Sequence, residues 1–153
     1  MRGDGAGYRR GVLLLVVHLA AVWFLVGLVW VVQTLVYPGF RDADRLRWLE
    51  HHEHHTRLMG WVVSGPWAVQ GVTCAVLLFW RPDGVPFWLA ALAAVCGAVT
   101  VAVTVGISVP CHRRLAHGYD DAVLDRLVRT NWYRTAAWSV GGLVAAAMAL
   151  RAM

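Results

Sequence analysis

Four stretches of this chain are nearly free of charge, and no water-soluble core of this size could hide them all. Gly11 to Pro38, Leu58 to Trp80 and Pro86 to Pro110 contain no Asp, Glu, Lys or Arg, and Tyr133 to Leu150 contains only Arg134. An apolar helix of about 20 residues crosses the hydrocarbon of a bilayer. The expected fold is therefore all-α: one integral membrane domain over 1–153, a bundle of four transmembrane helices at about 11–38, 58–80, 86–110 and 133–150. The chain is 59% hydrophobic and 15% charged, whereas soluble domains run near a quarter charged. All fourteen basic residues are arginines, and they cluster at the ends of the apolar runs. There they anchor helices at headgroups, so the net charge of +5 is not read as a nucleic-acid surface. Arg9 and Arg10 precede an apolar run too long for a signal peptide, with no small-residue cleavage site behind it. The first run is expected to stay as a membrane helix.

Two polar connectors, Phe40 to Thr56 and Cys111 to Trp132, punctuate the runs, while Arg81-Pro82-Asp83-Gly84 is only a tight turn. Leu46, Trp48 and Leu49 alternate with Arg45, Arg47 and Glu50, after a cap at Asp42 or Asp44. Leu115, Val123, Leu124, Leu127 and Val128 recur at helical spacing. Both patterns predict amphipathic interfacial helices, the first running on into the second span and the other covering roughly Asp120 to Thr130. Pro38 and Pro110 are expected to end their helices, and Pro66 to kink its own. The halves also look alike. Arg57 precedes Trp61 as Arg134 precedes Trp138, and Ser64-Gly65 matches Gly141-Gly142 in offset, which suggests a duplicated helix pair.

Four spans put both long connectors on one face of the membrane. Nine arginines lie on that side and five on the other, so the positive-inside rule leans toward cytoplasmic connectors. Six of the seven histidines lie there too, the densest run being His51-His52-Glu53-His54-His55-Thr56-Arg57. His51 and His55, or His52 and His55, share a helix face, and His112 stands on the opposite connector. His52, His55 and His112 are the candidate metal set, for a transition metal such as iron or copper, or for haem iron. His55 and His112 double as acid/base candidates. Arg57 and Arg134 are the candidates to hold an anionic or enolate oxygen, with Asn131 orienting it. Gln33, Tyr37, Gln70 and Trp138 are the expected lining of a cofactor or substrate pocket. Cys74 and Cys96 read as small core residues.

Four ordered motifs carry a resemblance. They are Gln33-x-x-x-Tyr37-Pro38, His52-x-x-His55-Thr56-Arg57, Val109-Pro110-x-His112-x-x-Leu115 and Asn131-Trp132-x-Arg134-Thr135-x-x-Trp138. The set resembles small, largely uncharacterised bacterial four-helix integral membrane proteins. More loosely, it is similar to the anthrone-oxygenase-like (noranthrone monooxygenase) membrane family. That looser resemblance implies oxidation of a polycyclic aromatic by oxygen and touches Pro38, Pro110, Asn131, Arg134 and Thr135, while the His-rich run departs from it. The expected function is a membrane oxidoreductase or oxygenase of the bacterial cell membrane acting on a hydrophobic or aromatic substrate. The competing reading is a non-enzymatic membrane module: a lipid or small-molecule binder, or an accessory subunit in a homo-oligomer or larger membrane complex.

Overall fold

The structure is a computed structural model, and it describes residues 5–153. Four long helices make up almost all of it: α1 (Gly5–Asp42), α2 (Arg45–Phe79), α3 (Phe87–Leu115) and α4 (Asp121–Ala152). Each is long and apolar enough to cross a membrane. The outside of the bundle is apolar, with Leu13, Phe24, Trp61, Val72, Phe79 and Leu143 all exposed. Side chains of that kind belong against lipid rather than water.

The order around the bundle follows the chain. α4 packs most extensively, against α1 and α3, while α2 packs against α1 and more sparsely against α3. Lipid tails are as apolar as leucine, so association rests on close packing and interhelical hydrogen bonds. Gly141 and Gly142 supply the close approach. A Cβ built on Gly142 would lie 3.2 Å from Val26 Cγ2 and 3.4 Å from Trp23 Cε2, and one on Gly141 3.5 Å from Cys96 Cβ. The hydrogen bonds cross between helices at several levels. His18 Nδ1 is 2.8 Å from Thr73 Oγ1, Trp138 Nε1 donates to Gln70 Oε1 at 3.0 Å, and Trp48 Nε1 donates to the Leu115 carbonyl at 2.8 Å.

The helix of the first connector runs on into the second span, as expected, and the second connector corrects the expectation, because no separate interfacial helix forms there. The His-rich run belongs to α2, and the expected Asp120–Thr130 segment is the first third of α4, capped by Asp120 accepting from the Val123 amide. The prolines do not end their helices either. α1 passes Pro38 and α3 passes Pro110, each after a five-residue π segment, Val32–Val36 and Thr104–Ser108. Proline lacks an N–H and its ring crowds the carbonyl four residues back. The wider turn absorbs this: the Tyr37 amide bonds the Val32 carbonyl and the Val109 amide bonds that of Thr104, each five residues back. The two π segments stand at the same distance before their prolines, a correspondence between the halves that the sequence pattern did not reveal.

Replacing Gly142 by Leu is expected to lower stability by about 1–3 kcal/mol through overpacking against α1, while Gly71→Leu, on an open face of α2, leaves it within about 0.5 kcal/mol. Thermal unfolding of the two variants in detergent checks the contrast.

Candidate functional site

At the connector end of the bundle the four helices surround a cavity of about 420 Å³, within the range of small-molecule sites, about 300–1,000 Å³. Leu25, Leu28, Val29, Val32 and Tyr37 of α1 line it, with His52, His55, Thr56, Met59, Gly60 and Val63 of α2. α3 adds residues from Thr104 to Arg113, with Ala116 just past its end, and α4 adds Arg134 and Trp138. The apolar residues lie toward the membrane interior and the polar ones toward the connectors. Helical phase explains the α2 contribution, since His52, His55, Thr56, Met59, Gly60 and Val63 fall on one stripe at three- and four-residue steps.

The expected residues divide. His52, His55, His112, Arg134, Tyr37 and Trp138 do meet at the cavity. Arg57 does not. It is off the stripe and exposed, bonding His54 Nδ1 at 3.4 Å in an outer groove with Glu50 and Glu53. Asn131 and Gln33 stand behind Arg134 as its support. Asn131, fully buried, accepts from Arg134 Nη1 through Oδ1 at 3.1 Å and donates through Nδ2 to Gln33 Oε1 at 2.8 Å. Gln33 in turn donates to the Val128 carbonyl at 3.3 Å. Gln70 sits deeper, holding the Trp138 indole.

The imidazoles form a row rather than a ligand set. His52 Nε2 is 3.1 Å from His112 Nδ1, and His112 Nε2 is 3.2 Å from the Tyr37 hydroxyl. Both ring nitrogens of His112 are thereby used, leaving no lone pair to join His52 and His55 on a metal. Among the described residues no group of three or more His, Cys, Asp or Glu side chains is placed to hold a metal ion. The residues as arranged do not fit a three-ligand iron or copper site at His52, His55 and His112. What the row can do is relay a proton, because each imidazole donates at one nitrogen and accepts at the other. His55 stacks on His112 with centroids 6.0 Å apart and meets the Phe40 ring edge-on.

Two polar atoms in this cavity's wall lack a protein partner. Arg134 Nε is buried and unbonded, and so is Ser108 Oγ. Among the described residues Arg134 has no carboxylate partner; the ion pairs there are Arg41–Asp125 and Arg47–Glu50, both exposed. Its guanidinium lies 5.0 Å from the Trp138 ring centroid, which provides a cation–π contact but neutralises nothing. Ser108 went unnoticed in the sequence, although it stands one helical turn before His112 and so shares its face. Helical hydroxyls usually bond back to a nearby carbonyl, as Thr34 and Thr104 do. Ser108 closes the π segment and makes no such bond.

Compared with known proteins, the chain matches no family model, no curated protein and no solved structure.

A double-mutant cycle between Gln33→Ala and Asn131→Ala is expected to give a coupling of about 0.6 kcal/mol and no more than about 1.7 kcal/mol, the average and the maximum for interhelical hydrogen bonds in membranes. Denaturation of the four proteins in mixed micelles reads it directly.

Proposed function

We propose that this protein is a multi-pass membrane protein that binds a hydrophobic small molecule bearing one acidic oxygen group, held at Arg134. The unpartnered Arg134 nitrogen, in a cavity without a carboxylate, is the observation that carries this reading. A guanidinium at the edge of hydrocarbon is costly unless an anion or water meets it. The neighbouring fork of donors suits a carboxylate or enolate. Asn131 and Gln33 hold the guanidinium in place from behind, so little ordering is left for the ligand to bring about. Arg134 then serves the ligand and leaves the topological tally, and the remaining connector arginines still favour a cytoplasmic mouth.

One observation favours a second reading, a membrane oxidoreductase acting on a hydrophobic or aromatic substrate. The Tyr37–His112–His52 row supports acid/base work beside an oxygen held by Arg134. On that reading, oxygen consumption with an anthrone as substrate is expected from the purified protein and is lost in His112→Ala.

Binding itself is tested by thermal unfolding with decanoate and 2-naphthoate, set against decanol and 2-methylnaphthalene. At least one acid is expected to stabilise the protein, by about 2.7 kcal/mol at a hundred times its Kd. Arg134→Gln should remove the effect and Arg57→Gln preserve it. Equal stabilisation by acids and neutral analogues would sink the proposal.

A further inference from the structure

We infer that the occupant is a single-chain carboxylic lipid, a free fatty acid or a like carboxylate on one hydrocarbon chain, taken from the bilayer between α2 and α3. The inference rests on the binding function proposed above and narrows it to one chemical class.

Shape is the first argument. Leu25 and Tyr37 both line the cavity and are separated by about 18 Å of helix at 1.5 Å per residue. Thr104 of α3 and Ala116, just past its end, are a similar distance apart. The lining runs along the helix axes, with Leu25, Leu28 and Val63 toward the membrane interior and Tyr37, His52 and His112 toward the connectors. An amphiphile with one chain and one polar end has that outline and that orientation.

Donor geometry is the second. Arg134 spends Nη1 on Asn131, the Tyr37 hydroxyl stands beside the guanidinium, and Nε is buried without a partner. The Nε side of a guanidinium offers parallel N–H donors that match the two oxygens of a carboxylate. Ser108 Oγ, on a residue only 2% exposed, is a further donor without a partner in the same wall.

Access is the third. The α2–α3 seam is the most sparsely packed of the four. Gly60 on its α2 side is exposed and has nothing within 4 Å of a Cβ position, and Val109 and Arg113 on its α3 side are exposed. All three line the cavity. The opening thus reaches from the lipid-facing Gly60 to the basic Arg113, the path for a lipid whose head stays near the headgroups while its chain slides in sideways.

The test uses the full chain in phosphatidylcholine nanodiscs with a palmitate analogue carrying a diazirine near the chain end. The expected result is one adduct per chain, mapped to Leu25, Leu28 or Val63. Labelling should fall about tenfold or more in Arg134→Gln, since a hydrogen bond to a charged group is lost, and likewise in Gly60→Trp, while Arg57→Gln labels normally. Labelling at outward residues such as Leu13, Val72 or Leu143, indifferent to Arg134→Gln, overturns the inference. On the wild-type protein, excess palmitate should displace the probe and hexadecanol should not; equal displacement overturns the carboxylate assignment even if Arg134→Gln fails to fold. If anthracene-2-carboxylate binds in an Arg134-dependent way and palmitate does not, the pocket stands and the single-chain class falls. If neither binds, both fall. Co-purification of one two-chained phospholipid in the cavity would also overturn it.

Discussion

A charged side chain inside a membrane has to be met by something, and the rest of this structure is arranged around how Arg134 is met. The cost of a lone guanidinium near hydrocarbon runs to several kcal/mol. Half of the requirement is supplied by protein, through the Asn131 and Gln33 amides and the face of Trp138. The rest of the guanidinium lies beside the Tyr37 hydroxyl in the cavity wall, with Nε unpartnered. Because Asn131 and Gln33 lie on α4 and α1, fixing Arg134 also fixes those two helices against each other. The same seam carries the Gly142 contact with Val26 and Trp23. Packing and polar support therefore coincide where the pocket needs rigidity.

The opposite seam has the complementary character. α2 and α3 touch at the connector end through Trp48 with the Leu115 carbonyl and through His52 with His112, but they leave an opening beneath. The connector end is closed over by further contacts: Arg45 lies 3.4 Å from the Tyr119 ring centroid, and Tyr119 meets Trp48 edge-on. The bundle is thus tied firmly at the top and held more loosely along one side. In such a seam local opening is less costly than elsewhere, because few buried contacts must be broken.

The fold was legible because lipid makes a simple demand. Uncharged runs long enough to span became spans, and their neighbours in sequence became neighbours in the bundle. The site was legible in part. His52, His55, His112, Tyr37, Arg134 and Trp138 converge on one cavity. Arg57 mirrored Arg134 in sequence spacing but not in helical phase, and a local motif does not state which way a helix is turned. The histidines suggested ligands by their number, whereas the row that forms uses His112 at both ends. The continuity of α1 and α3 past their prolines was hidden for another reason. Pro38 and Pro110 normally mark an end, and only the backbone reveals that a wider turn has taken up the missing bond.

Those wider turns carry a consequence for how such a protein can change. A π segment holds one residue more than the α-helical path would need. Everything beyond it is rotated by about 100° relative to an unbroken helix. In α1 this sets the direction of Tyr37, and in α3 that of Cys111 and His112, while the lipid-facing pattern of the earlier turns is untouched. A single-residue deletion in either segment would return it to an unbroken α-helix with the cavity's polar rim still aimed as before, and would put the carbonyl four residues before each proline back under its ring. Val32–Val36 and Thr104–Ser108 are therefore the places where the length of α1 and α3 can change by one residue without turning either the rim or the residues that face the bilayer.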